Sequence, residues 1–270
     1  MAFNFDRVQK DIRKLRNFLK RTPKRPGPEE IHSLRTHTRR VQSALRALAL
    51  DSSQNERRLL RELEKLRRKA GKVRDLDVLT GHVANVRMKN EGPCLVQLLE
   101  HLGAEHARRS RQLHSLTVEN RAALLRRLKG VEAKLGKLAE KDTPDKAAPA
   151  EAMISELQLQ RELGGASRLI RENLHLYRLK VKELRYILQM EDDPSDSQLI
   201  ETLGEIKDAI GEWHDWQKLL GIAQEELPHG KNCKLVGLLQ TIAGQKFRHA
   251  LSVAERGRKH ALRPFAPPDA

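Results

Sequence analysis

Two stretches decide the fold: HSLRTHTRRVQSALR over residues 32–46 and HLYRLKVKELRY over residues 175–186. Take His32 as the origin of a helix turning about 100° per residue. Arg35 then lies at roughly 300°, Arg39 at roughly 340° and Arg46 at roughly 320°, while Leu34, Val41, Leu45 and Leu48 gather around roughly 190°. The second stretch repeats the design: His175, Arg178, Lys182 and Arg185 form its basic face, and Leu174, Val181, Leu184 and Leu188 its apolar one. Tyr186 borders the basic side, where its hydroxyl can donate a hydrogen bond. Both stretches therefore read as helices with one face for a core and one for positive charge.

Outward from these two helices the rest of the chain reads the same way. Ala, Leu, Glu, Lys and Arg dominate, and no alternating strand pattern appears. The periodicity predicts helices over 5–20, 29–50, 55–90 with a weak point near Gly71, 93–114, 117–141, 151–190, 197–226 and 231–262. The longest are expected to break at glycines such as Gly164, Gly165 and Gly211. Breakers lie at Thr22–Pro28, Asp51–Asn55, Gly92-Pro93, Asp192–Ser197 and Pro228–Gly230. Residues 141–150, with Pro144 and Pro149, form the clearest linker.

Three blocks recur in the same order. Residues 31–35 resemble 174–178 at an offset of 143; 71–75 resemble 211–215 and 95–99 resemble 235–239, both at an offset of 140. Matches at one nearly constant offset mark an internal duplication. The expected organisation is a first helical half over 1–141, a linker over 142–150 and a second half over 151–270, with a groove or pore between the halves.

A solvated helix face normally interleaves acids with bases at i,i+4. These stripes carry no acid at the aligned positions, so their cations repel one another unless an anion compensates them. Arg40 aligns with Glu183, a charge reversal, but both lie off the stripe, as do His37 and Lys180. A second basic face runs through Arg67, Gly71 and Arg74, mirrored by Lys207, Gly211 and His214. A helix-interior Gly is about 0.8–1 kcal/mol less favourable than Ala. Its repetition points to close approach of a ligand or of a neighbouring helix. Arg108 and Arg248 also pair across the offset. Asp75 and Asp215 follow the glycines, and their expected role is to orient a basic side chain through charge-assisted hydrogen bonds.

Composition narrows the partner. Lys and Arg number 52 against 36 Asp and Glu, a formal net charge of +16, so the partner is expected to be polyanionic. Aromatics make up only 3% of the residues, which argues against base stacking on single-stranded nucleic acid. Nucleic-acid backbone binding remains the alternative, without a recognisable DNA-reading motif. No metal or other cofactor is expected: ligands would have to converge at about 2 Å, and the arginines beside His32 and His175 would repel a cation. No nucleophile, base or carboxylate cluster has catalytic spacing, so the expectation is a binding protein rather than an enzyme, with a phosphohydrolase the least favoured reading. Residues 1–20 are broken by charges and no apolar run approaches membrane-span length, so neither a secretory leader nor a membrane span is expected. Cys94 and Cys233, without a CxxC, read as reduced thiols of a cytoplasmic protein. No signal speaks to oligomeric state.

At these residues the chain resembles the CHAD domains, conserved histidine α-helical domains. The resemblance rests on His32-x-x-Arg35-x-x-x-Arg39-Arg40 and His175-x-x-Arg178-x-x-x-Lys182-x-x-Arg185-Tyr186. It also rests on Gly71-x-x-Arg74-Asp75-Leu76-Asp77-Val78-Leu79 with its counterpart Gly211-x-x-His214-Asp215. It covers about residues 5–262. It implies an all-α fold of two antiparallel four-helix bundles related by a pseudo-twofold, with a basic channel between them. It also implies binding of inorganic polyphosphate, in some members at cytoplasmic granules. The chain departs from the pattern at Gln42, where another Arg is usual, and at Glu183, a commonly basic position. No triphosphate-tunnel domain accompanies it, so the expectation is a stand-alone form.

Overall fold

The computed structural model describes residues 5–47, 53–87, 92–140, 147–189, 197–227 and 233–261. Among them are eight helices and no strand: α1 (Phe5–Arg21), α2 (Pro28–Ala47), α3 (Gln54–Ala84), α4 (Pro93–Glu140), α5 (Ala147–Gly164), α6 (Arg171–Leu188), α7 (Ser197–Glu226) and α8 (Lys234–Ala261). The fold is all-α, as the periodicity predicts.

Local chemistry sets several of the ends. Pro28 and Pro93 open α2 and α4, where a missing N–H is no loss. The Gly27 N–H donates to the Glu30 carboxylate at 3.1 Å, half of a capping box. Ile170 N–H donates to Asn173 Oδ1 at 2.8 Å at the start of α6. Asp6 near the start of α1 and Lys20 and Arg21 at its end suit the helix dipole.

Three expected interruptions are absent. The helices expected over 93–114 and 117–141 are one 48-residue helix, α4. At the expected gap Thr117 Oγ1 donates to Leu113 O at 2.7 Å and both residues are buried, so the polar side chain is satisfied inside the helix. Helices α3 and α7 also run unbroken through Gly71 and Gly211. The break expected at Gly164 and Gly165 does occur, between α5 and α6. Part of the expected linker is helical, since α5 begins at Ala147 and takes Pro149 into its first turn; residues 141–146, like Leu48, lie outside the described residues.

The chain divides into two compact units. One, here the N-terminal unit, comprises Ala2–Thr80 and Leu102–Glu151; the other, the C-terminal unit, comprises Gly81–His101 and Ala152–Ala270. These are not the two sequence halves, because the end of α3 and the start of α4 join the second. The reason is local contact: His82 stacks on Trp216 at 4.5 Å, Gln97 Nε2 donates to Glu226 O at 3.1 Å, and His101 pairs with the Glu226 carboxylate at 3.1 Å.

Within the C-terminal unit, one apolar cluster draws on α5 (Leu163), α6 (Leu174, Val181, Leu184, Leu188), α7 (Leu203, Ile206, Ile210, Trp213) and α8 (Ala250, Val253, Ala254). In the N-terminal unit Ile12, Leu15, Leu34, Val41, Leu45, Leu63, Leu66 and Leu128 are fully or almost fully buried. Arg16 of α1 pairs with Glu132 of α4, and Arg127 of α4 with Glu62 of α3 at 2.7 Å. The apolar faces read from α2 and α6 are thus the buried ones. Burial of each such leucine or valine contributes about 1.5–3 kcal/mol.

Candidate functional site

In the C-terminal unit, α6 lies antiparallel along α7, with the later arginine of α6 meeting the earlier part of α7. Arg178 Nε donates to the Lys207 carbonyl at 3.1 Å, and Arg185 Nε to the Ile200 carbonyl at 3.3 Å. Each accepting carbonyl stands four residues before a glycine, Gly211 or Gly204, and each guanidinium rests on that glycine. The glycine repetition therefore marks close approach of an arginine side chain to a helix backbone, rather than backbone-to-backbone packing.

The other bases gather there as well. The His175 and His214 rings are 4.8 Å apart. Burial, and then His214, Arg178 and Lys182, hold the His175 imidazole below the ordinary histidine range. Its Nδ1 is buried and has no hydrogen-bond partner among the described residues. Tyr186 is half-buried further along α6. Lys207 pairs with Asp208 at 2.7 Å.

The N-terminal unit holds a related but different arrangement. Arg35 of α2 rests on Gly71 of α3 and pairs with Asp75 at 3.5 Å. Asp215, by contrast, has its ion pair with the adjacent His214 at 3.8 Å. Gln42 stands where the second stretch has Arg185. Its Nε2 donates to the Leu60 carbonyl at 3.2 Å, and its Oε1 accepts from Arg67 Nε at 3.1 Å. The Arg67 guanidinium is pulled below the usual arginine range by burial and by Arg39, against the opposing pull of Glu64, and further by Arg35 and Arg46. Arg67, a secondary candidate from sequence, thus stands with the main stripe. His32 and Arg46 are exposed, Arg39 half-buried. Arg74 lies near Asp77, whose carboxyl is pushed up by burial and held down by His106, 3.0 Å away, and by Arg74.

Not every candidate joins these groups. Arg108 is bound in bidentate fashion by Glu105 of its own helix at 2.7 and 2.8 Å. Arg248 is exposed on α8, its Nη1 3.9 Å from where a Cβ on Gly244 would lie. The off-stripe residues have structural partners. His37 and Arg40 both engage Asp11 of α1, at 2.7 and 3.5 Å, and Lys180 engages Glu162 of α5 at 2.9 Å. Gly204 escaped the sequence reading, although a signal for it existed: Gly204 precedes Gly211 by the same seven residues that separate Arg178 from Arg185. Among the described residues no three His, Cys, Asp or Glu side chains gather as a metal site would require, and no helix is long and apolar enough to cross a membrane.

A family model described as the CHAD domain matches residues 7–224. The structure is similar to the CHAD domain from the plant Ricinus communis, with a TM-score of 0.67 at 18% identity, over 96% of this chain and 90% of that one. It is also similar to PptA from Streptomyces chartreusis, with a TM-score of 0.65 at 14% identity, over 96% of this chain and all of that one, 100%. At these identities the two likenesses concern the fold. Comparison with curated proteins finds no match. The match spans most of the chain and includes both basic stretches and both glycine faces, so the chain belongs to the CHAD domain family.

Proposed function

We propose that this chain binds long inorganic polyphosphate through the basic faces of α2–α3 and α6–α7, as a binding protein that needs no cofactor and does not turn the polymer over. The observation that carries the reading is the gathering of basic side chains beside one another, where burial and basic neighbours disfavour the protonated form. Arg67 is set among Arg39, Arg35 and Arg46, and His175 among His214, Arg178 and Lys182. The crowded arginines cost free energy in the free protein, and beside its basic neighbours His175 disfavours its own proton. A chain of phosphates relieves that cost, and each neutralised phosphate releases counterions. A polymer of phosphate alone presents no base to stack, in keeping with the scarcity of aromatics. A partner of this kind suits a cytoplasmic protein that gathers at polyphosphate granules.

The test is calorimetric titration with polyphosphate of several lengths, and with duplex and single-stranded nucleic acid as competitors, at stated salt. Long chains are expected to bind far more tightly per molecule than triphosphate or orthophosphate, since one polymer that engages both faces gains effective concentration. The affinity is expected to fall steeply as salt rises. Preference for nucleic acid at equal phosphate concentration, or an affinity indifferent to salt, would overturn the reading. Release of orthophosphate on incubation would overturn its non-enzymatic part.

A further inference from the structure

We infer that Gly211 and Gly71 are positioning residues of the anion-binding faces: their missing side chains are seats in which Arg178 and Arg35 lie against the backbone of the neighbouring helix. The inference rests on the polyphosphate reading for its consequence, and on geometry alone for the seat itself. A methyl group on Gly211 would come 2.6 Å from Nη2, 3.1 Å from Nε and 3.2 Å from Cζ of Arg178. Both nitrogens stand nearer than Cζ, so the Nε–Nη2 edge of the guanidinium is what faces Gly211. A methyl on Gly71 would come 3.1 Å from Nη1 and 3.6 Å from Cζ of Arg35. Gly204 under Arg185 is roomier: the nearest atom is Nε at 3.5 Å, ordinary van der Waals contact.

Other glycines in described helices show that this is not a general property. Added methyls at Gly81, Gly103, Gly136, Gly221 and Gly237 would meet nothing within 4 Å, and at Gly257 the obstacle is the apolar side chain of Ile206. An interior glycine weakens a helix relative to alanine, so α3 and α7 carry a local cost at the seats. The return is orientation. Once Nε of Arg178 is committed to the Lys207 carbonyl, the rotamer is fixed and the outer edge of the guanidinium keeps one direction. A long side chain ordered in advance loses less freedom when the anion arrives.

The experiment replaces each glycine with alanine and leaves every charge in place. Gly211→Ala is expected to weaken polyphosphate binding by about three- to tenfold, the usual worth of ordering one long side chain. Gly71→Ala is expected to weaken it less and Gly204→Ala least, following the three clearances. Melting temperature should hold or rise in all three, because alanine is the better helix former; a purely structural glycine would show the reverse. Without any ligand, the Nε–H resonance of Arg178 should be slow to exchange in the parent and lose that protection in Gly211→Ala. In an Arg178→Ala background, Gly211→Ala should have no further effect on binding.

Several outcomes overturn the inference and leave the polyphosphate reading standing. One is that Arg178→Ala weakens binding and Gly211→Ala does not. Another is that Gly204→Ala does as much harm as Gly211→Ala. A third is that the effect of Gly211→Ala persists without Arg178. A parent protein that ignores polyphosphate while its Nε–H resonance behaves as expected would overturn the function and leave the seat.

Discussion

The two units treat the same positions differently. The C-terminal unit holds two arginines on glycines, Arg178 on Gly211 and Arg185 on Gly204; the N-terminal unit holds one, Arg35 on Gly71. At the place of the second seat it has Gln42, and the position 140 before Gly204, four residues after Leu60, is Glu64. The two changes belong together. Without a small residue the guanidinium has no bed, and without the arginine the glycine is only a cost to the helix. Gln42 still reaches a carbonyl, that of Leu60, which stands 140 before the Ile200 carbonyl used by Arg185. The backbone contact is thus kept while the charge is gone. Arg67 restores part of that charge by binding the other end of Gln42. A basic helix face is therefore a property of two helices, the one that carries the charges and the one that makes room for them.

The largest expected effect tests whether seating matters beyond charge. Arg178→Ala with Arg185→Ala and Arg35→Ala with Arg39→Ala each remove two positive charges. Only the first pair removes two seated arginines. It is expected to weaken polyphosphate binding by about a hundredfold or more, at roughly 1.5–3 kcal/mol per charge-assisted contact. The second is expected to cost about tenfold on the same scale. Calorimetry at one fixed salt concentration measures both, and equal losses would reduce the comparison to a count of charges.

A gain of function sharpens the point. Gln42→Arg with Glu64→Gly rebuilds the missing seat in the N-terminal unit. The pair is expected to tighten binding by about tenfold or more, the worth of one charge-assisted contact at roughly 1.5 kcal/mol. It should lower the stability of the free protein by more than about 1 kcal/mol, the cost of an interior glycine, because Arg67 also loses its Gln42 Oε1 acceptor. Gln42→Arg alone keeps Glu64, which offers the new guanidinium a carboxylate in place of a bed. If the single substitution binds as tightly as the double, the glycine is not what makes room.

Much of this site was legible from one sequence. The faces of α2 and α6 follow the helical period, and burial obeyed it: Leu34, Val41, Leu45, Leu174, Val181, Leu184 and Leu188 are all at most 1% exposed. Gly71 and Gly211 were legible as repeated violations of helix propensity, though their use was not, because only side-chain geometry tells an arginine from a backbone. The pairing of Arg108 with Glu105, three residues before it, is a local contact that outweighs the long-range match to Arg248. Two features lay beyond local pattern. The continuity of α4 depends on Thr117 turning its hydroxyl back to Leu113. The membership of residues 81–101 in the C-terminal unit depends on contacts such as His82 with Trp216, more than a hundred residues apart.

Arg40→Glu separates the binding face from the rest of α2 and expects a smaller effect. The angular reading puts Arg40 off the stripe, and the structure gives it to the buried Asp11. Binding should change less than twofold, within about 0.4 kcal/mol. The variant copies Glu183 in charge but not in setting, since a carboxylate beside Asp11 faces its own sign. Stability is expected to fall by about 1 kcal/mol, a shift of about 2–4 °C in melting temperature for a chain of this size. His37 keeps Asp11 partly satisfied at 2.7 Å, which limits the loss. Loss of binding as great as that of Arg35→Ala with Arg39→Ala would mean that α2 presents a different face to the anion.

The last comparison distinguishes the units by pH. The C-terminal unit sets the His175 ring against the His214 ring, whereas the positions 143 and 140 earlier are His32 and Arg74, so a titratable group replaces a permanent charge. Burial, His214, Arg178 and Lys182 all disfavour the protonated His175. In the free protein its folded pKa is therefore depressed below the unfolded value. The stability it contributes is present above the ordinary histidine pKa and is lost as pH falls through the depressed one. A bound polyanion acts in the opposite sense, since it favours imidazolium, and binding then takes up a proton. Acidification from pH 7.5 toward 5.5 should lower the melting temperature of the free protein and raise affinity for polyphosphate by about threefold, under the tenfold of a full pKa unit. Calorimetry in buffers of different ionisation enthalpy counts the proton. In His175→Gln the proton uptake should shrink and the two trends flatten. Permanent cations alone would leave affinity level across this range, and an affinity just as steep in His175→Gln would assign the proton to another group.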